Sequence, residues 1–492
     1  MRRRVLLAAG SLGASVLVAL AVIQPWSGDD GGSAADATTT STSTSASTTT
    51  TTEPPLHGEP GATGIGDPYF PGLGNGGYDV DHYTLDLSWR ADEGALDGVT
   101  TIEAIATQDL SSFTLDLSGM DVRAVTVGGA AASFEHVDRE LEIEPRAAIA
   151  YGDDFTTVVT YSGKPVPVTD GTDVSDVGWQ TDGREAFVAS EPTGASTFFP
   201  VNDHPTDKAT YTFRVTAPAD QTVAANGLLV ADNDTGHGTR SWTYEASDPI
   251  ASYLVQIAIG DYELVDAGEV DGVVLRHVLH RNLADPASVT VERTAEMIRV
   301  LDDVYGPYPF EVYGVLVVDQ DLGFALETQT LTIVGSDIVS RGHAADLILL
   351  HELSHQWVGN AVSPATWQDI WLNEGFATYA EWLFTERTGG PPAADSARLY
   401  QGRRELDPPP GDPGSTELFN ESVYLRGGMT LQALRERVGD DDFFTILRTW
   451  IDEHRGDAAS TADFVALAER VSGEELSALF DDWLYSYRLP AL

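Results

Sequence analysis

Residues His351 to Phe376 read HELSHQWVGNAVSPATWQDIWLNEGF. The H-E-x-x-H opening sets His351 and His355 four residues apart. On an α-helix that spacing stacks two imidazoles one turn apart on a single face, aimed at one point, with Glu352 beside them. Eighteen residues separate His355 from Glu374, which begins a second helical pattern as N-E-G. Two imidazoles and a carboxylate make three protein ligands, the set that leaves a catalytic zinc ion a fourth position for water. Glu352 then has the place and the chemistry of a general base. The bare motif also fits a surface helix with two unrelated histidines, and the spaced acidic residue argues against that. A second pair, His277 and His280, forms H-x-x-H inside an apolar strand pattern. Residues three apart on a strand face opposite sides, so these two cannot share a metal. The chain reads as a hydrolase using one zinc ion.

The surrounding chain sets limits on this reading. Its 492 residues are too many for one core and predict two or three domains. Acidic residues number 76 against 28 basic, a formal net charge of −48. That charge argues against nucleic acid and anionic membrane surfaces as partners, because both would be repelled. The acidity suits cationic substrates such as peptides with a free α-ammonium group, and it equally suits a plain solubilising surface. Cysteine is absent, which removes disulfides, thiol catalysis and a lipid anchor on an N-terminal Cys.

The elements that must position the metal residues follow from patterning. Met1 to Arg4 are a basic start, and Val5 to Ile23 an apolar run. As a helix that run would span about 28 Å, close to the roughly 30 Å bilayer core. It predicts either a signal peptide with a cleavage site at Ala19-Leu20-Ala21 or a retained N-terminal membrane anchor (residues 1–26). Either one exports the body of the protein, to be secreted or held at the cell surface. Residues 27–76, with TTTSTSTSASTTTTTEPP from Thr38 to Pro55, predict a disordered tether. Residues 77–264 alternate apolar and polar positions in segments such as HYTLDLSW, GVTTIEAIAT and TYTFRVTAP, broken by Gly, Asp and Pro turns. This predicts an antiparallel β saddle or sandwich. Residues 265–492 are mainly helical. A helix is expected over Ser288–Gly306, the metal helix over about Ala344–Asn360 and the Glu374 helix over about Leu372–Thr388. Four more helices are expected from Ser422 to Tyr487. Glu381, two turns beyond Glu374, is either an orienting partner of a metal ligand or a solvent-facing glutamate.

H-E-L-S-H-Q-W-V-G-N followed by W-L-N-E-G-F-A at this spacing resembles the aminopeptidase N-like zinc metallopeptidases, the gluzincin family that includes leukotriene A4 hydrolase. The likeness runs from Tyr78 to the C-terminus and implies a short two-domain α+β form: a β saddle, then a thermolysin-like, mainly helical zinc metallopeptidase domain. The family's G-A-M-E-N motif is represented by Phe324-Ala325-Leu326-Glu327-Thr328. The resemblance implies that Glu327 binds the substrate amine while the backbone at Phe324 and Ala325 pairs with the peptide. Thr328 stands where the family has Asn. SEPTGASTFF resembles the family's E-P-x-x-A-R segment and implies Glu191 as the second amine ligand, with Ser196 in the place of Arg. ESVYLRGG resembles V-Y-x-K-G and implies Tyr424 as the tyrosine that stabilises the oxyanion. The implied activity is a zinc aminopeptidase acting on peptides with a free N-terminus. An endopeptidase with the same metal site, or an exported peptide-binding protein without catalysis, would also carry parts of this pattern. Intact Glu352 and Tyr424 argue against the binding protein. Oligomeric state is not legible.

Overall fold

The computed structural model describes residues 56–492 apart from 170, 173–175 and 403–405. The signal or anchor at residues 5–23 and most of the tether lie outside the described residues. Among the described residues no helix is long and apolar enough to cross a membrane.

The first half is built on an eight-stranded sheet. In spatial order its strands are Leu228–Asp234, Thr239–Ile250, Ala209–Pro218, Tyr78–Arg90, Ala95–Ala106, Asp154–Gly163, Asp121–Val127 and Ala130–Ala131. Strand Tyr78–Arg90 shows how the alternation is used. Tyr78 and Val80 face the core, the pairing register then shifts between Val80 and His82, and burial resumes at Tyr83, Leu85, Leu87 and Trp89. One extra residue at a bulge moves the buried face from even to odd positions. Most of the ladders are antiparallel, as the alternation predicts. The exception is Thr210–Thr216, which runs parallel to His82–Ser88. Two hairpin-connected groups, one before and one after residues 164–208, meet edge to edge there, and no tight turn fixes their relative direction.

A second, four-stranded sheet (order Gly178–Asp182, Glu185–Ala189, Ile257–Gly260, Thr222–Ala225) leads the chain to Glu191. The catalytic part has its own mixed sheet, in which Val273–His280, Val315–Val317 and Thr332–Val334 are parallel. Ala325–Leu326 closes one edge antiparallel to Thr332–Val334, immediately before Glu327. His277 and His280 are both buried on the strand Val273–His280. The His277 Nδ1 accepts from the Val315 N–H at 3.2 Å, whereas His280 lies beside Glu185 at 3.3 Å and Asp319 at 3.6 Å. They serve separate contacts, as the strand argument requires.

Three helices carry the metal region: α1 (Asp346–Ser354), α2 (Trp371–Arg387) and α3 (Glu421–Val438). The expected metal helix is longer than α1 because the chain widens after it. Asn360, Ala361 and Val362 donate to the carbonyls of His355, Gln356 and Trp357, five residues back, around Gly359 at φ +118°. The helix expected over 288–306 is two pieces, Ala284–Val291 and Thr294–Tyr305. At the break, Arg293 pairs with Asp346 of α1 at 2.5 Å and with Glu296 at 2.8 Å. The helix expected at Ser472–Tyr487 is reduced to Ser477–Phe480 and a wide turn, Asp481–Tyr485. There the buried Arg426 guanidinium takes the Trp483 carbonyl at 2.6 Å and also those of Asp482 and Ser486. Those carbonyls cannot then serve a regular helix.

Candidate active site

α1 presents His351 in its last turn and His355 just after it, and α2 presents Glu374 in its first turn. One ligand atom from each of the three lies within 4.8 Å of the others. The His351 Nε2 is 3.1 Å and the His355 Nε2 3.6 Å from the Glu374 Oε2. Both rings have their other nitrogen engaged: His351 Nδ1 faces the Glu381 Oε1 at 2.8 Å, and His355 Nδ1 faces the Val358 carbonyl at 3.0 Å. A carbonyl can only accept, so His355 Nδ1 carries a proton, and Nε2, facing Glu374, is the nitrogen that would bind a metal once its own proton is lost. Two neutral imidazole Nε2 atoms and one carboxylate oxygen, buried and convergent, fit a zinc ion with one position open. Glu381 therefore touches a metal-site histidine rather than only solvent.

Electrostatics agree with this donor set. Burial would raise the Glu374 carboxyl, but His355 and His351 outweigh it and hold it down at about 2. Burial would lower His355, yet Glu327 and Glu374 carry it up to about 9. Glu352 is pushed up to about 8 by burial, with the two imidazoles opposing and Glu327 and Glu374 adding. A carboxylate poised near neutrality suits a general base. The Tyr424 ring stacks on His351, with centroids 5.8 Å apart and planes at 28°. Burial, with Glu374, Glu191, Glu352 and Glu327 nearby, raises the Tyr424 phenol well above its ordinary range. It stays protonated and able to donate.

The two amine-site carboxylates arrive from different sheets. Glu191 follows the strand Glu185–Ala189, and that strand is fixed from behind by Gln256, which receives from the Val188 N–H at 3.2 Å and donates to its carbonyl at 2.9 Å. Glu327 follows the edge strand, and its carbonyl receives Gln356 Nε2 at 2.9 Å and Asn360 Nδ2 at 2.7 Å. Glu191 is 6% and Glu327 2% exposed, and the Oε1 of each has no hydrogen-bond partner among the described residues. Oxygens from Glu191, Glu327 and Glu374 lie within 4.8 Å of one another. Burial, and then the neighbouring carboxylates, raise Glu191 well above its ordinary value. Thr328 is occupied elsewhere: its hydroxyl closes the turn onto the Leu331 carbonyl at 2.5 Å. Ser196 is buried, its N–H donating to Asp203 at 3.3 Å.

His351, Glu352, His355, Glu374, Tyr424, Glu191, Glu327, Ala325 and Phe324 all line one cavity of about 280 Å³. Sequence reasoning missed the other wall residues Asp176, Val177, Ala189, Leu326 and Phe419. It also missed Gln356 and Asn360, although both lie inside the H-E-x-x-H stretch. Their partner is a backbone carbonyl, which leaves no mark at position 327. Lys208 was passed over too. It reaches from the β-rich half to the turn after the metal histidines, donating to the Asn360 carbonyl at 2.7 Å and the Ala361 carbonyl at 3.1 Å.

Residues 79–254 match the Peptidase M1 N-terminal domain, and residues 289–408 and 409–483 match the Peptidase family M1 domain. The M1 zinc metallopeptidase from Deinococcus radiodurans has a similar structure, with a TM-score of 0.81 at 34% identity, over 87% of this chain and 98% of that one. Yeast LTA4 hydrolase shares the fold, with a TM-score of 0.70 at 22% identity, over 84% of this chain and 69% of that one. Aminopeptidase B of Mus musculus is 27% identical over 68% of this chain, which spans 53% of the mouse protein. Aminopeptidase M1 of Arabidopsis thaliana is 26% identical over 61% of this chain, which spans 36% of the plant protein. Both family domains thus follow in order, the second of them carrying the His–His–Glu centre, and the chain belongs to the M1 family of zinc metallopeptidases.

Proposed function

We propose that the protein is a zinc aminopeptidase that removes the N-terminal residue of peptides. The observation that carries this reading is the pair of buried carboxylates, Glu191 and Glu327, with unpartnered oxygens beside the metal ligands. A buried carboxylate without a partner is costly, and a substrate α-ammonium repays it through charge-assisted hydrogen bonds. Anchoring the terminus there sets the first peptide bond, and no later one, at the reactive position.

His351, His355 and Glu374 would hold the zinc ion, which when bound would make a water more acidic and polarise the scissile carbonyl. Glu352 takes the proton of the attacking water on a carboxylate oxygen and later hands it to the departing amine nitrogen. The Tyr424 hydroxyl donates to the oxygen that gains charge. Glu381 and the Val358 carbonyl keep the two imidazoles turned so that Nε2 faces inward. The names of the relatives from mouse and Arabidopsis support the same activity. The basic start and apolar run at residues 1–23 support an exported enzyme, secreted or held to the cell surface by its N-terminus.

The test is hydrolysis of leucine p-nitroanilide by the zinc-loaded protein beside its N-acetylated counterpart, with and without chelator. Turnover of the free amine alone, abolished by chelator, is expected. Equal turnover of the blocked substrate would make the protein an unselective hydrolase.

A further inference from the structure

Arg139 is not a wall residue of the cavity, yet its guanidinium ends where the segments carrying Glu191 and Glu327 are tied together. It lies between the strands Ser133–Val137 and Glu140–Glu144 of the β-rich half. Its Nε donates to the Asp116 Oδ1 at 3.1 Å, and its Nη2 stands 3.5 Å from the Asp203 Oδ2. Asp116 and Asp203 are both buried and joined, the Asp203 N–H donating to the Asp116 Oδ2 at 3.0 Å. Among the described residues no other arginine or lysine pairs with either. Burial raises the Asp116 carboxyl to about 7 and raises Asp203 as well, and in both the Arg139 guanidinium is the main opposing cause.

Asp203 reaches towards both glutamates. Its Oδ2 accepts the Ser196 N–H at 3.3 Å, in the turn Ala195–Thr197. Just before that turn the Gly194 N–H closes onto the Ser190 carbonyl at 2.7 Å, with Glu191 between them. The Asp203 Oδ1 accepts the Ser252 hydroxyl at 2.8 Å. Ser252 opens the turn Ser252–Leu254, whose Leu254 carbonyl receives the N–H of Gln329, two residues after Glu327, at 3.1 Å.

Two adjoining buried carboxyl groups hold such a scaffold best with a cation to offset their burial and mutual repulsion. Position 196 is where the E-P-x-x-A-R pattern has its arginine, and the buried Ser196 found there brings no charge. Ser196 and Arg139 meet on the same Asp203 oxygen. We infer that Arg139 replaces the arginine absent at position 196 and is a positioning residue for the substrate terminus. It acts through Asp203, which it holds between the segments that carry Glu191 and Glu327. This role rests on the aminopeptidase reading, in which those two glutamates bind the α-ammonium.

The experiment exchanges the arginine between the two positions in the full, zinc-loaded chain. Arg139→Gln keeps hydrogen-bond donors without the charge. It is expected to raise KM for leucine p-nitroanilide roughly 2- to 30-fold, with kcat and zinc content near wild type. Ser196→Arg alone is expected to lower Tm, because a second guanidinium enters a space already filled. The double variant is expected to recover both Tm and KM, a coupling that the double-mutant cycle reads directly. Additive effects overturn the exchange. A folded Arg139→Gln protein with unchanged KM, or with only kcat reduced, overturns the positioning role. If Arg139→Gln does not fold, the double variant decides: a folded protein with KM near wild type supports the inference, and an unfolded one overturns it. The N-acetylated substrate reads the aminopeptidase proposal separately. Equal turnover of blocked and free substrate by wild type ends the amine role and the positioning role with it, whereas the Tm coupling still decides the exchange.

Discussion

His355 has its two ring nitrogens set by opposite demands, one facing the Val358 carbonyl and one facing Glu374. In the metal-free protein its imidazolium persists up to about pH 9, because Glu327 and Glu374 outweigh burial. Zinc must expel that proton to bind. Below about pH 9 the proton competes, so apparent zinc affinity should weaken by roughly tenfold per pH unit for each proton displaced. Chelator competition at pH 6, 7 and 8 measures this, and a flat profile would contradict it. Glu381 acts one bond further out, on the His351 Nδ1. Glu381→Ala should lower zinc affinity by roughly 10- to 100-fold, as loss of such orienting partners does elsewhere. Unchanged affinity in the same competition assay would make Glu381 an ordinary half-exposed carboxylate. At this scale the sequence is most legible where spacing on one helix does the work, as for His351, Glu352 and His355. Glu191 is different. Nothing local distinguishes it from any loop carboxylate, and only likeness to a family brought it forward.

Helices α2 and α3 hold Glu374 and Tyr424 on facing surfaces, and they cross where Gly375 meets Gly427. A Cβ added at Gly375 would lie 2.8 Å from the Gly427 Cα, and one at Gly427 2.8 Å from the Gly375 Cα. Backbone on both sides cannot move aside as a flexible side chain could. Gly375→Ala should therefore force the helices apart and destabilise the protein by about 1–3 kcal/mol. It should also lower kcat, since it moves Glu374 away from Tyr424. A calorimetric melt with parallel kinetics checks both parts, and an unchanged melting temperature would show that the crossing has slack. The glycine of N-E-G is plain in the sequence, but its reason is a partner fifty-two positions later that no periodicity points to. Helix ends were hidden for a related cause. The widened turn after α1 and the carbonyls drawn onto Arg426 depend on contacts distant in the chain.

Across the whole molecule, alternation along strands predicts a β-rich first half and helical spacing a helix-rich second. Neither encodes which strands become neighbours. The parallel meeting of Thr210–Thr216 with His82–Ser88 was therefore not readable. The net charge of −48 also acts at this scale. It creates a field that concentrates cations at the surface and is screened beyond roughly 8–10 Å at physiological salt. For a peptide substrate with a free ammonium, KM should rise as salt increases from low ionic strength while kcat changes little. Steady-state kinetics across a sodium chloride series tests this, and a salt-independent KM would leave the acidity a solubilising feature only.

Lys208 gives the two halves of the molecule a shared clasp, and its rarity gives that clasp a use. It is one of only two lysines in the chain, the other being Lys164. Burial lowers its ammonium to about 7, with Asp457 and Asp248 opposing. Its ammonium therefore loses its proton more readily than an ordinary lysine's, while the Asn360 and Ala361 carbonyls hold it in place. An amine-reactive acylating label would meet Lys164 and the α-amino group of the chain at once, and Lys208 only when the β-rich half lifts from the turn behind the histidines. The rate of acylation at Lys208, followed by the mass of the peptide that carries it, is then a clock for that opening, installed by composition and read without any engineered probe.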